Sequence, residues 1–307
     1  MKTFKDVLDI ENTLEYLESF RPYDLDDFAK KFIDYRLKFF NPKNTLNKII
    51  EDANKFLLAN NIQHIIVGVS GGIDSAVTYK ILKIIETINC KLTIHPVIIP
   101  IVDSTGSTEQ EEAYKLAKLV VAEDSNLIVP HIASVSAASN LLFNSLPGCS
   151  HTNKHFQKGQ LDYWIRPLLF YTITSQYENS IVCGTINKSE LITGFFGKKT
   201  DTCDLQLLTH LYKSEVFALA KHLEIPELII KAIPKGNVFS GATDEQLLNM
   251  SYDIIQLIDY LLTNCDAADF KKLKITSYLK GQLVELWENF EALKQITAHK
   301  HGIYYCV

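Results

Sequence analysis

One stretch constrains this chain more than any other: Ile65-Ile66-Val67-Gly68-Val69, followed at once by Ser70-Gly71-Gly72-Ile73-Asp74-Ser75. The first five residues form a short apolar run without polar alternation, as expected of a strand covered on both faces. Two glycines then let the backbone turn sharply and pass close to a ligand, in conformations that a Cβ forbids. From Ala76 to Ile85 the apolar spacing is helical. The first turn of such a helix directs unpaired N–H groups, and the positive end of its dipole, back at the loop. Ser70 and Ser75 add hydroxyl donors. A nest of this kind suits a pyrophosphate. It is not the Walker loop, because no Gly-Lys-Ser/Thr follows, and it lacks the G-x-G-x-x-G of dinucleotide folds.

The alternation continues downstream. Strands are predicted at Ile94–Pro100, Leu127–Ile132 and Ile181–Gly184, and helices at Glu109–Val121, Ile165–Tyr177 and Glu215–Leu223. Strands alternating with helices predict an α/β fold, a Rossmann-like doubly wound parallel sheet with helices on both faces. Upstream, Leu14, Leu17 and Phe20 recur at helical spacing, as do Phe28, Phe32 and Tyr35, and Pro42 separates this block from a helical run over Leu46–Leu58. Asp103–Thr108, Ser145–Gly159 and Pro234–Thr243 read as loops. Thr243-Asp244-Glu245-Gln246 offers a capping box for a helix running to Leu262.

Composition excludes several classes. The 307 residues are 47% hydrophobic, enough to fill a core, and suit one large domain or one domain with an added helical segment. A formal net charge of −5 argues against a dedicated nucleic-acid binder. The six cysteines form no C-x-x-C pair and read as reduced, mostly buried thiols of a cytosolic protein. Met1 to Asp6 run straight into acidic residues without an apolar signal core, and no stretch of about 18 apolar residues occurs, so no membrane span is expected.

Further segments fall in a definite order. Gly184-Thr185-Ile186-Asn187-Lys188-Ser189-Glu190 leads to Gly194-Phe195-Phe196. Leu211-Tyr212-Lys213 precedes Ile225-Pro226-Glu227. Gly241-Ala242-Thr243-Asp244-Glu245 leads to Ser251-Tyr252, and His299-Lys300 lies near the end. Together with the glycine loop, these segments resemble the ammonia-dependent NAD synthetase family of the ATP pyrophosphatase superfamily. The likeness covers Leu46 to His301, which divides the chain into an N-terminal helical extension, 1–45, and a synthetase-like domain, 46–307, with extra helices at both ends. It implies ATP as co-substrate, Mg2+, nicotinic acid adenine dinucleotide and ammonia as substrates, a homodimer, and a cytoplasmic location. It also assigns residues. Ser70, Gly71, Gly72, Ile73, Asp74 and Ser75 match the phosphate loop, Asp74 and Glu190 the metal carboxylates, and Thr185 a contact to the ATP sugar and phosphates. Lys213 matches a lysine that reaches the phosphates, and Asp201 an acid near the ammonia site. Arg166, Asp204, His299 and Lys300 match positions around the dinucleotide.

The chain departs from that pattern on the acceptor side. Thr200-Asp201-Thr202-Cys203-Asp204 stands where the family has Gly-Asp-Gly-Gly, Trp164 where it has an arginine, Gln160 where it has an asparagine, and Lys235 where a hydroxyl meets ATP phosphate. An indole cannot neutralise a phosphate, although it stacks on flat rings, and a lysine can act as a point-charge phosphate binder. Three readings stay open: a synthetase acting on the dinucleotide, a related amide ligase acting on another carboxylate, and a nucleotide-binding protein with weakened catalysis.

Overall fold

The computed structural model describes residues 24–99, 108–130, 132–145, 154–197, 203–233, 243–264 and 277–301. Four parallel strands form one sheet in the order β2-β1-β3-β4: β1 is His64–Gly68, β2 Thr93–Val97, β3 Ser180–Gly184 and β4 Leu205–Gln206. His64 pairs with Thr93 on one side and with Ser180 on the other, so β1 is flanked by both neighbours along its length. Its residues alternate between two cores. Ile65 and Val67 join the larger one with α2 (Pro42–Ala59), α3 (Ile73–Ile88), α4 (Thr108–Val121) and, further along the chain, α8 (Lys213–His222). Ile66 faces the other way, onto Ile173, Phe170 and Tyr177. The first two of these lie on α6 (Lys154–Thr174) and Tyr177 just beyond it. The sheet is therefore covered on both faces, as the apolar strands require.

A second core lies apart from the sheet. Phe28, Phe32 and Ile33 of α1 (Leu25–Leu37) pack with Ile255, Ile258 and Leu261 of α11 (Tyr252–Asn264) and with Leu283 and Phe290 of α12 (Ser277–His301). The helical spacing of Phe28, Phe32 and Tyr35 is realised in α1, whose N-cap Asp24 accepts a hydrogen bond from the N–H of Asp27 at 2.8 Å. Leu14, Leu17 and Phe20 lie outside the described residues.

Several expectations need correction. Among the described residues of Leu127–Ile132 no strand forms: only Ile128 bridges Val97, because Pro130 has no N–H to extend the ladder. Ile132 instead begins α5 (Ile132–Ser145), hidden in the sequence by its serines and asparagines. The expected strand from Ile94 ends by Val97. The expected loop to Gly159 is already helical from Lys154, and that helix, α6, ends at Thr174 and holds Pro167 within it. Two helices do lie either side of the break at residues 38–41, and Pro42 marks it as the first residue of α2, after the N-cap Asn41. The helix expected from Thr243 to Leu262 breaks after α10 (Asp244–Leu248), where Asn249 adopts φ 51°. Asn tolerates that left-handed conformation at a C-cap. The side chain of Ser251 then accepts from the N–H of Ile254 at 3.4 Å as α11 begins. Two short helices, α7 (Lys188–Thr193) and α9 (Glu227–Ile230), are also present among the described residues. Cys183 is buried as expected, whereas Cys90 is exposed.

Candidate active site

The carboxyl ends of β1 and β3 lie side by side, and the glycine loop, Asp74, Glu190 and Lys213 converge there. Open parallel sheets present ligand sites at this end. After β1 the chain turns at Gly71, with φ +87°. A Cβ on Gly71 would stand 2.4 Å from the carbonyl oxygen of Ala113 in α4, so the loop is held flat beneath that helix. Gly72 caps α3 with extended backbone. The serine hydroxyls brace the turn from inside: Ser75 Oγ accepts from the N–H of Ser70 at 3.1 Å and donates to the carbonyl of Gly72 at 2.9 Å, and Ser70 Oγ accepts from the N–H of Gly72 at 3.2 Å. Ile73 buries its side chain in the core and leaves its backbone at the first turn of α3.

Asp74 follows on that first turn and meets α7 and α8. Lys213 Nζ donates to Asp74 Oδ2 and stands 3.7 Å from Glu190 Oε1. The three side chains are 4%, 15% and 17% exposed for Lys213, Asp74 and Glu190, so this is an almost dry ion cluster. Burial works against the Lys213 ammonium, but Asp74 and Glu190 outweigh it and raise its pKa. Burial, then repulsion by Asp74, raises the Glu190 carboxyl to about 8, with Lys213 opposing. The Tyr252 ring lies 5.1 Å from Lys213 Nζ, and its hydroxyl donates to Asp244 Oδ2 at 3.2 Å. Burial first, then Glu190 and Asp244, raises the pKa of that phenol.

The local sequence explains why these groups meet. Asn187 caps α7 in a reciprocal box with Glu190: its side chain accepts from the N–H of Glu190 at 3.0 Å, and Glu190 Oε2 accepts from the N–H of Asn187 at 3.1 Å. The amide of Asn187 also donates to Asp74 Oδ1 at 2.9 Å. The starts of α7 and α8 are stitched together, with the N–H of Lys188 donating to the carbonyl of Leu211 at 2.8 Å and the N–H of Lys213 to Ser189 Oγ at 3.1 Å. Behind them Lys188 Nζ donates to the Tyr212 hydroxyl at 2.5 Å, which donates to Asp259 Oδ2 at 2.5 Å.

Of the residues singled out from sequence, the loop, Asp74, Glu190 and Lys213 come together, and Thr185 sits half-buried just past the end of β3. Others lie elsewhere. Trp164 and Arg166 are on α6, Trp164 55% exposed and Arg166 with its pKa pulled down by burial. Asp204 precedes β4 and accepts from the N–H of Val182 at 2.8 Å and from the Tyr171 hydroxyl at 3.3 Å. Lys300, on α12, donates to the carbonyls of Gly194 and Phe196 at 2.8 and 2.9 Å, which closes the left-handed cap of α7 at Gly194. Asp201 and Lys235 lie outside the described residues, and His299 is on α12 with its side chain outside the description. Sequence reasoning assigned no role to Asn187, Tyr252, Asp244 or Asp259. The Asn-x-x-Glu spacing of a capping box was the signal available for Asn187.

A parallel sheet with a glycine loop after β1 and an acid–lysine–acid cluster at its carboxyl end defines a nucleotide-handling enzyme of the ATP pyrophosphatase fold. The comparisons make this specific. The family model described as NAD synthase matches residues 45–301, and the chain belongs to that family, whose members are carbon–nitrogen ligases that use ATP. It is 32% identical over 222 residues to the NH(3)-dependent NAD(+) synthetase of Syntrophomonas wolfei, covering 72% of this chain and 84% of that one. It is 33% identical over 263 residues to the same-named protein of Wolinella succinogenes, covering 85% and 93%. Its fold matches the solved structure of the NMN synthetase from Francisella tularensis with a TM-score of 0.67 at 24% identity, covering 87% and 99%. Among the described residues no helix is long and apolar enough to cross a membrane.

Proposed function

We propose that this protein joins ammonia to the carboxylate of nicotinic acid adenine dinucleotide in the cytoplasm, giving NAD. The carboxylate attacks the α-phosphorus of ATP, pyrophosphate leaves, and ammonia displaces AMP from the acyl-adenylate. The observation that carries the reading is the cluster of Asp74, Lys213 and Glu190 beside the Ser70–Ser75 loop. The loop's N–H groups and hydroxyls receive the leaving pyrophosphate. Lys213 exchanges its carboxylates for a phosphate, and Lys235 adds charge on the ATP side. Asp201 takes a proton from ammonium, and Arg166 and Asp204 meet the dinucleotide.

The donor set fits Mg2+. Two nearly buried carboxylates are hard oxygen donors, and this ion commonly uses one or two carboxylates together with substrate phosphates. Asp74 and Glu190 would hold it. When bound it supplies positive charge against the triphosphate. The exposed face of Trp164, Leu168 and Tyr171, at helical spacing on α6, supports a homodimer joined along that helix.

A second reading, an amide ligase acting on another carboxylate, is favoured by Trp164, an exposed neutral ring where the family pattern has a cation. ATP–pyrophosphate exchange run with a panel of carboxylates separates the two. Exchange dependent on nicotinic acid adenine dinucleotide supports the first, exchange with a different acid alone supports the second, and no exchange with any acid removes both.

A further inference from the structure

The two carboxylates of the cluster are divided in the same way. Asp74 Oδ1 accepts from the side-chain amide of Asn187 at 2.9 Å, and Glu190 Oε2 accepts from the backbone N–H of the same residue at 3.1 Å. The remaining oxygen of each faces one cation: Asp74 Oδ2 is the acceptor of Lys213 Nζ, and Glu190 Oε1 stands 3.7 Å from it. Asn187 is fully buried, and both halves of its amide are used, since its Oδ1 accepts from the N–H of Glu190 at 3.0 Å. It therefore has no freedom to turn without breaking the cap of α7 or releasing Asp74. A carboxylate with one oxygen tied cannot rotate its other oxygen away from the site.

We propose that Asn187 is a positioning residue that takes one oxygen from each of Asp74 and Glu190 and aims the other two at a single cation position, held in this structure by the Lys213 ammonium. When Lys213 moves to a phosphate, the two aimed oxygens are left on the same side for a divalent cation, while the two tied oxygens stay where they are. This rests on the reading of Asp74 and Glu190 as ligands of a metal that enters with ATP. Partners one bond behind the ligands orient them in just this manner, and losing one typically weakens metal binding about 10- to 100-fold.

The test is Asn187→Ser in the full chain. Serine caps helices about as well as asparagine, so α7 keeps its start, but its side chain is too short to reach Asp74. The probes are Mn2+ and a non-hydrolysable ATP analogue with a methylene between the α- and β-phosphates. Binding is followed by calorimetry for the analogue without metal, and then for Mn2+ at saturating analogue. The expected result is an Mn2+ affinity weakened about tenfold or more, with metal-free analogue affinity unchanged. A merely structural role would move both affinities together or neither, and either outcome overturns the proposal. Asn187→Thr, another capping residue of short reach, takes the place of the serine variant should that one not fold. If the wild-type chain binds no analogue at all, the synthetase reading itself fails and the positioning role with it. If it binds and the variants keep their Mn2+ affinity, only the positioning role is lost.

Discussion

Lys213 is buried and faces two carboxylates, a position tolerable only because the charges compensate one another. Removing one partner of such a pair leaves a buried charge uncompensated, which costs about 3–5 kcal/mol. Lys213→Met, close in volume, should lower the unfolding free energy by that order in denaturant titrations, and much less when Asp74→Asn is already present. A single variant as stable as the wild type would contradict the arrangement. Glu190 supplies a pH test. Its carboxyl is raised from 4.5 to about 8, so the native state holds a proton that the unfolded chain has lost between those values. The stability this contributes is full below 4.5 and is lost as pH rises through about 8. Glu190→Gln stays neutral throughout, so that part of the decline should vanish from a series of thermal unfolding curves. Equal slopes in variant and wild type would rule the shift out.

The glycine loop works only because of the helix above it. Gly71 lies under the backbone of α4 and takes a positive φ, while Gly72 has an ordinary φ of −83° and only Ser70 Oγ, at 3.4 Å, near its absent Cβ. The two glycines are adjacent in sequence but carry different constraints. Gly71→Ala should cost about 1–3 kcal/mol from the backbone conformation alone, with the contact to Ala113 added, whereas Gly72→Ala should unfold within about 0.5 kcal/mol of the wild type. Equal losses in chemical denaturation would mean that α4 does not press on the loop. Such relations set the limit of what the sequence discloses. The loop, the strands β1 and β3, and the residues Asp74, Glu190 and Lys213 were legible because local pattern and motif order agree there. The role of Asn187 was not, because its partner Asp74 is far away along the chain and a cap is a local reading. Leu127–Ile132 misled because an apolar run is the same signal for a strand and for a single bridge stopped by Pro130. Helix α5 was missed because its small polar residues weaken the periodic signal.

At the scale of the whole molecule, the family likeness begins at 45, yet α1 precedes it and is built into the second core. That core reaches the site through α11. One face of α11 carries Tyr252, Gln256 and Asp259, which meet Lys213, Ser214 and Tyr212: a ring contact at 5.1 Å, a hydrogen bond from Ser214 Oγ to Gln256 Oε1 at 2.6 Å, and one from Tyr212 to Asp259 at 2.5 Å. The adjoining face of α11 packs on α1, where Phe32 and Tyr260 rings lie 5.1 Å apart and the Arg36 guanidinium sits 4.9 Å from the Tyr260 centroid. The start of α8, and with it Lys213, is thus backed by a helix that α1 supports. Phe32 is fully buried, and truncating it to alanine should cost about 3–5 kcal/mol. The informative quantity is what accompanies that loss. If α1 braces the site, Phe32→Ala should weaken binding of the ATP analogue at temperatures where the protein is still folded, because α11 no longer holds residues 212–214 in place. Leu57→Ala, equally buried but in the sheet core among α2 and its neighbours, should lower stability by about 2–5 kcal/mol without a matching loss of affinity. Calorimetry on the two variants, each well below its own unfolding midpoint, decides the matter: equal affinities would make α1 a stabilising addition with no hold on the site.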